Sequence, residues 1–228
     1  MRLCLGRGWI SVGLLGACLG AAGVVGQSAA NPQSVAQGIE QRYERMRTMQ
    51  VNFLERYRQG KNIRIESGVA YFSRPGRMRW EYEAPEEKLF LVDGKNAWFY
   101  VPADRTATRA KMKESDDWHT PLALLAGRTR RGMFRRMCDT LELLPARSGH
   151  TLRCQPKPDK ASFREIQFEV DAEYRLQRIL IREPGDLETE FRFAGWQENL
   201  ALPEVIFHFS APKGVAIVDE QTIAGPGK

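Results

Sequence analysis

Residues 68–102 read GVAYFSRPGRMRWEYEAPEEKLFLVDGKNAWFYVP, and this stretch decides the fold. Met78, Trp80 and Tyr82 alternate with Arg77, Arg79 and Glu81. Successive side chains of a strand point to opposite faces, so this alternation puts three large apolar groups on one face and three charges on the other. Leu89 to Val92 runs into Asp93-Gly94, a two-residue hairpin signal, and Trp98-Phe99-Tyr100 leads back out. The stretch therefore predicts three strands and two tight turns, with Pro75-Gly76 as punctuation before the first. Nothing in it is arranged like a catalytic site. Its large side chains describe the wall of an apolar concavity, with Met78, Trp80, Tyr82, Leu89, Leu91, Trp98 and Tyr100 as the candidate lining. Arg74 is the exception, a cation placed where the wall turns.

The flanks extend the same pattern. Val51, Phe53, Glu55 and Tyr57 alternate with Asn52, Leu54 and Arg56; Gln59 to Asn62 form a turn, and Ile63, Ile65, Val69 and Tyr71 begin the next strand. Beyond Pro102, strands are expected over 106–112, 140–144, 151–153, 163–170, 176–181, 187–193 and 205–209. Two segments read as helices. Asn31-Pro32 is an N-cap followed by proline at the first helical position, and Val35, Ile39, Tyr43 and Met46 form an apolar stripe running to about Met49. The second, Trp118 to Ala126, starts at Thr120-Pro121 and carries Leu122 and Leu125. Many short strands with two amphipathic helices give an α+β, mostly β fold: an antiparallel curved sheet forming an open half-barrel with a helical lid.

The ends differ from this body. Arg2 and Arg7 precede an uncharged run from Trp9 to Val25, followed by small residues, the pattern of a secretory signal peptide over residues 1–30. Cleavage after Gly26 or Ala30 suits the small-residue requirement. Leu15-Gly16-Ala17-Cys18 also resembles a lipobox, in which Cys18 would be acylated, but a second apolar run, Leu19 to Val25, stands where lipoproteins carry a polar tether. One domain is expected over 31–222, followed by a tail over 223–228. Cys4 and Cys18 lie in the leader, leaving Cys138 and Cys154; an even pair in an exported chain suggests a disulfide, two separate buried thiols being the alternative.

Formal net charge is +6, or +4 without Arg2 and Arg7. An exported protein does not meet nucleic acid, so the basic cluster Arg128, Arg130, Arg131, Arg135 and Arg136 suggests either a solvated face or an anionic membrane surface or acidic partner. There is no glycine-rich phosphate loop, nucleophile elbow or histidine pair with an intervening glutamate. His119, His150 and His208 are scattered without ligand spacing, so neither metal nor cofactor is expected. Binding, not catalysis, is the expected activity.

Several pieces carry a family resemblance. Arg74-Pro75, Trp80, Tyr82, Pro85, Val92-Asp93-Gly94, Trp98-Phe99-Tyr100 and Pro102 together resemble the LolA-type periplasmic carriers of outer-membrane lipoproteins. Thr120-Pro121-Leu122 with Leu124-Leu125 resembles that family's lid helix, and Phe207-His208-Phe209 through Gly214-Val215 its last strand. Met78, flanked by Arg77 and Arg79, departs from the phenylalanine often found there. The resemblance implies a monomeric periplasmic shuttle that takes lipoprotein acyl chains from an inner-membrane lipoprotein-releasing transporter to an outer-membrane acceptor lipoprotein. Each buried methylene contributes about 0.8 kcal/mol, so several long chains would cost tens of kcal/mol in water. A wide, loosely packed cavity would offset that cost without holding the cargo irreversibly. The resemblance also implies a role for Arg74: a latch that bonds to lid backbone in the closed, empty state. Alternatives on the same fold are a lipidated LolB-type acceptor, a carrier of another lipid or glycolipid, and a sensor that binds a protein segment.

Overall fold

The computed structural model describes residues 30–112, 123–126, 132–158 and 163–220. The leader, the tail, Pro121, Leu122 and the arginines at 128, 130 and 131 lie outside the described residues.

Twelve strands form one sheet: β1 (Thr48–Gln59), β2 (Asn62–Ser73), β3 (Arg77–Ala84), β4 (Lys88–Val92), β5 (Asn96–Val101), β6 (Thr106–Lys111), β7 (Cys138–Leu144), β8 (His150–Pro156), β9 (Glu165–Val170), β10 (Leu176–Glu183), β11 (Leu187–Glu198) and β12 (Ala216–Glu220). Their order is β12-β6-β5-β4-β3-β2-β1-β11-β10-β9-β8-β7. Two meanders therefore meet at the long β1–β11 pair, and β7 and β12 stay as edges, so the sheet is open and not closed into a barrel. All pairs are antiparallel except β12 with β6. The turn at Gly60-Lys61 joins Gln59 to Asn62, as the sequence predicts. At the second predicted hairpin the tip is Gly94-Lys95, one residue later than Asp93-Gly94, because the Asp93 carboxylate accepts from the Lys95 and Asn96 amides at 2.7 Å and closes the turn.

Among the described residues, three helices pack on this sheet. The first, α1 (Pro32–Glu44), begins at a capping box in which Asn31 and Ser34 satisfy each other's amides. It buries Val35, Ile39 and Tyr43 and lies over β7 and β8. The predicted stripe is too long: the helix stops at Glu44, and Met46 sits in the connection to β1, partly buried against the core. Its C-terminal end is fastened to the end of β11 and the start of β10, where Arg42 pairs with Glu198 and the Leu176 amide donates to the Tyr43 hydroxyl at 3.0 Å. In α2 (Ala123–Ala126), Leu124 and Leu125 are buried over β2 beside α1. The short α3 (Met133–Met137) precedes β7, and its Gly132 and Phe134 amides donate to Glu40 of α1.

One strand expectation is overturned. Residues 205–209 are not the last strand; Glu204–Phe207 is a 3-10 turn, and the chain pairs again only in β12. Pro203 and Pro212 bracket the segment and lack the amides that a ladder requires.

Candidate functional site

Strand register places the concave face. In an antiparallel pair, directly opposed residues share a face. Trp80 opposes Ala70 and Phe90, Ala70 opposes Val51, and Tyr82 opposes Gly68 and Lys88. This face carries Val51, Phe53, Phe72, Met78, Trp80 and Phe90, and it continues into Phe191, Ile179 and Phe168 on the other meander. Gly68 is required at the β2–β3 bulge, where a Cβ would lie 1.8 Å from the Glu81 carbonyl oxygen. The side chains meet across the curve: Trp80 packs against Phe53, Phe72 and Phe191 with ring centroids 4.7, 5.7 and 5.6 Å apart.

Of the seven predicted lining residues, Met78, Trp80 and Tyr82 share this face. Leu89, Leu91, Trp98 and Tyr100 do not. Leu91 opposes Arg79 and Trp98, and Leu89 opposes Glu81 and Tyr100, which puts all four on the convex side. They form a second small core there because residues 202–209 cross over that side. Phe209 lies 4.8 Å from the Trp98 ring and 5.6 Å from Tyr100, Phe207 is fully buried, and Arg79 donates to the Ile206 carbonyl at 3.0 Å. The Trp98 indole donates to Asp93.

The wide, loose cavity expected from sequence is likewise replaced by packed aromatics: Trp80, Phe72, Phe191 and Phe168 fill the concavity under α1 and α2. A hollow of about 500 Å³ does lie beside it, where Gln37 and Glu40 of α1 face Phe134, Leu141 and Lys157.

Polar groups stand at two places on this concave side. Tyr82 donates its hydroxyl to Glu55 Oε2 at 2.8 Å, and burial raises the Glu55 carboxyl above its usual range. Glu66, next to Glu55 across β1–β2, pairs with Lys88. Sequence reading placed Glu55 on the apolar side of its alternation but gave it no role. At the opposite end of the strands stands Arg74. Its amide donates to the Arg47 carbonyl at 2.9 Å, while its buried Nη1 has no hydrogen-bond partner among the described residues. Burial pulls the guanidinium below its usual range, opposed by Glu44.

Cys138 and Cys154 are joined as a disulfide, Cα atoms 5.4 Å apart, across the β7–β8 hairpin. The bridge ties the edge of the sheet beside the α1–α3 hollow.

This architecture has relatives. The family model described as outer membrane lipoprotein carrier protein LolA matches residues 44–210. Outer-membrane lipoprotein carrier proteins of Nitrosospira multiformis and Nitrosomonas europaea are 29% and 30% identical over 158 residues, covering 69% and 68% of this chain and 74% of each relative. Among solved structures, an uncharacterized conserved protein from Thermus thermophilus has a TM-score of 0.54 at 13% identity, over 82% of this chain and 98% of that one. A crystal structure of MucB has a TM-score of 0.50 at 14% identity, over 81% of this chain and 64% of that one. These two likenesses concern the fold. The sequence matches concern descent, and the chain belongs to the LolA family of outer membrane lipoprotein carrier proteins.

Proposed function

We propose that this protein is a periplasmic carrier that binds the acyl chains of lipoproteins and shuttles them from the inner to the outer membrane. The observation that carries this reading is the concave face. It gathers Phe53, Phe72, Trp80, Phe90 and Phe191 on one side of an open sheet, and short helical segments, not a second sheet, cover it. Parting α1 and α2 from the sheet would present an apolar trough, at a cost that acyl chains would offset by filling it. The packed state then corresponds to the empty carrier, and the hollow lies between α1 and α3 beside the edge strand β7.

Arg74 is the candidate latch in this scheme. A buried guanidinium nitrogen without a partner favours any lid geometry that offers it a carbonyl, so it biases the lid toward closure. An inner-membrane releasing transporter as donor and an outer-membrane lipoprotein as acceptor complete the route. The acceptor reading for this chain itself is disfavoured by the end of β3 and the turn after it, where Glu83, Glu86 and Glu87 are exposed in place of an apolar tip that could enter a membrane.

The test is to mix the protein with a dipalmitoylglyceryl-cysteine peptide and separate by size without detergent. A soluble equimolar complex is expected. Peptide that stays wholly in its own micelles contradicts the carrier reading.

A further inference from the structure

On the β1–β4 half of the concave face, the chemistry changes along the strands. The row Met49, Phe72, Met78 and Val92 is apolar. Two residues along come Val51, Ala70, Trp80 and Phe90, and two further Phe53, Gly68, Tyr82 and Lys88. The last row sets Glu55 beside Glu66. A surface that begins as hydrocarbon thus ends in a hydroxyl, two carboxyls and an ammonium. All are turned inward: Lys88 pairs with Glu66 and stands 4.6 Å over the Tyr82 ring, whose hydroxyl bonds Glu55.

Trp80 lies at the boundary. Its side chain is fully buried, yet its indole N–H has no hydrogen-bond partner among the described residues. A buried donor left unmade is a standing cost to the closed state. Indole combines a large apolar body with a single donor and no acceptor, so the group that would relieve this cost is a lone acceptor carried on hydrocarbon. The carbonyl oxygen of a fatty-acyl ester is such a group.

We propose that Trp80 is the donor of a subsite for ester carbonyls, which orients the cargo with its acyl tails toward Met78 and its glyceryl and peptide end toward Tyr82 and Glu55. The proposal rests on the carrier reading and adds a direction and a specificity to it. Along the trough, the tails would meet the Met49, Phe72, Met78 and Val92 side chains with the Arg74 guanidinium beyond them, one ester carbonyl would take the Trp80 N–H, and the polar end would lie at the Tyr82–Glu55–Lys88 group.

The experiment compares a dipalmitoylglyceryl-cysteine peptide with its dihexadecyl ether counterpart, which has the same chain length and no carbonyls. The unaltered protein should bind the diester about fivefold more tightly, the effect of one neutral hydrogen bond. Trp80→Phe should bring that ratio to about one, whatever change it makes in the affinity for both lipids. In nitrogen-labelled protein, the Trp80 indole proton should move downfield with the diester and not with the ether. The last two readouts are independent, so a variant that fails to fold does not remove the test. Equal affinity for the two lipids in the unaltered protein overturns the subsite. So does an indole resonance that ignores the diester, which would mean that the N–H is satisfied by the faces of Phe53, Phe72 or Phe191. A preference that survives Trp80→Phe overturns it as well. Failure to bind either lipid overturns the carrier reading and, with it, the subsite.

Discussion

The Tyr82 hydroxyl donates to Glu55 Oε2 at 2.8 Å across β2, inside the concave face and out of contact with water. Gly68 lies between the two strands that carry them and has no side chain to separate them. The pair interrupts the apolar floor between β1 and β3 with a titratable group.

This sets a pH dependence. Burial favours the neutral form of Glu55, and the neighbouring Glu66 adds to the shift; the Tyr82 hydroxyl, Lys88 and Arg64 oppose it. The folded carboxyl therefore holds its proton at a pH where the unfolded one has released it. Stability from this group is fully present below the unfolded carboxyl range and is lost as pH rises through the folded one. Glu55→Gln keeps an acceptor for Tyr82 and removes the charge. Urea midpoints measured from pH 4 to pH 8 should fall less steeply in the variant than in the unaltered protein. Parallel curves would show that Glu55 titrates as an ordinary surface carboxyl.

The convex core is separable from binding. Phe207 is fully buried against β3, and Arg77 lies 5.6 Å over its ring. Phe207→Ala should cost about 3 kcal/mol of unfolding free energy, as for other buried phenylalanines. Acyl-peptide affinity measured well below the melting temperature should be unchanged. A loss of affinity in the folded variant would place the cargo on the wrong side of the sheet for this account.

The disulfide should matter for stability and little for ligand. It closes a loop between residues separated by 16 positions, which removes about 3 kcal/mol of unfolded-state entropy. Replacing Cys138 and Cys154 together by serine should lower the unfolding free energy by about that amount in oxidising buffer. Adding a reductant should lower the unaltered protein to the same level and leave the variant where it is. Equal stability of the two proteins in oxidising buffer would contradict a formed bridge.

Arg74 is tested by separating uptake from release. Arg74→Leu removes the buried cation and its pull on lid carbonyls, so the loaded state loses its competitor. Uptake of acyl peptide should be retained, whereas transfer onward to acceptor membranes should slow by tenfold or more, since one hydrogen bond to a charged group contributes about 1.5–3 kcal/mol. Normal transfer would remove the latch.

Much of the sheet was legible because period-two alternation and turn residues are local signals. The β1 to β6 meander, the Asn31 cap and the apolar stripe of α1 follow from them. What alternation cannot give is which face continues across a turn. Between Tyr82 and Lys88 the loop brings Lys88, Phe90 and Val92 onto the Trp80 side, and Leu89 and Leu91 onto the other. Hydrophobicity does not arbitrate, because both sides are buried here: one by the helices, the other by residues 202–209. That crossing segment was itself hidden, since Val205, Phe207 and Phe209 alternate like a strand. Only the prolines on either side signal otherwise. Phe53, Phe72 and Phe90 were visible as apolar residues, but their meeting at Trp80 depends on register set by bulges and loop lengths. Glu55 carried a signal of its own: a carboxylate on the apolar side of an alternating strand.

The central claim is that cargo occupies the concave face. The most direct measurement is photo-crosslinking from a diazirine at the end of the acyl chain of a cysteine-linked lipopeptide, with the modified residues located by mass spectrometry. Crosslinks on Phe53, Phe72, Met78, Trp80 or Phe191 are the result this account predicts. Crosslinks confined to Leu91, Trp98, Tyr100 or Phe209 would contradict it and move the site to the convex side.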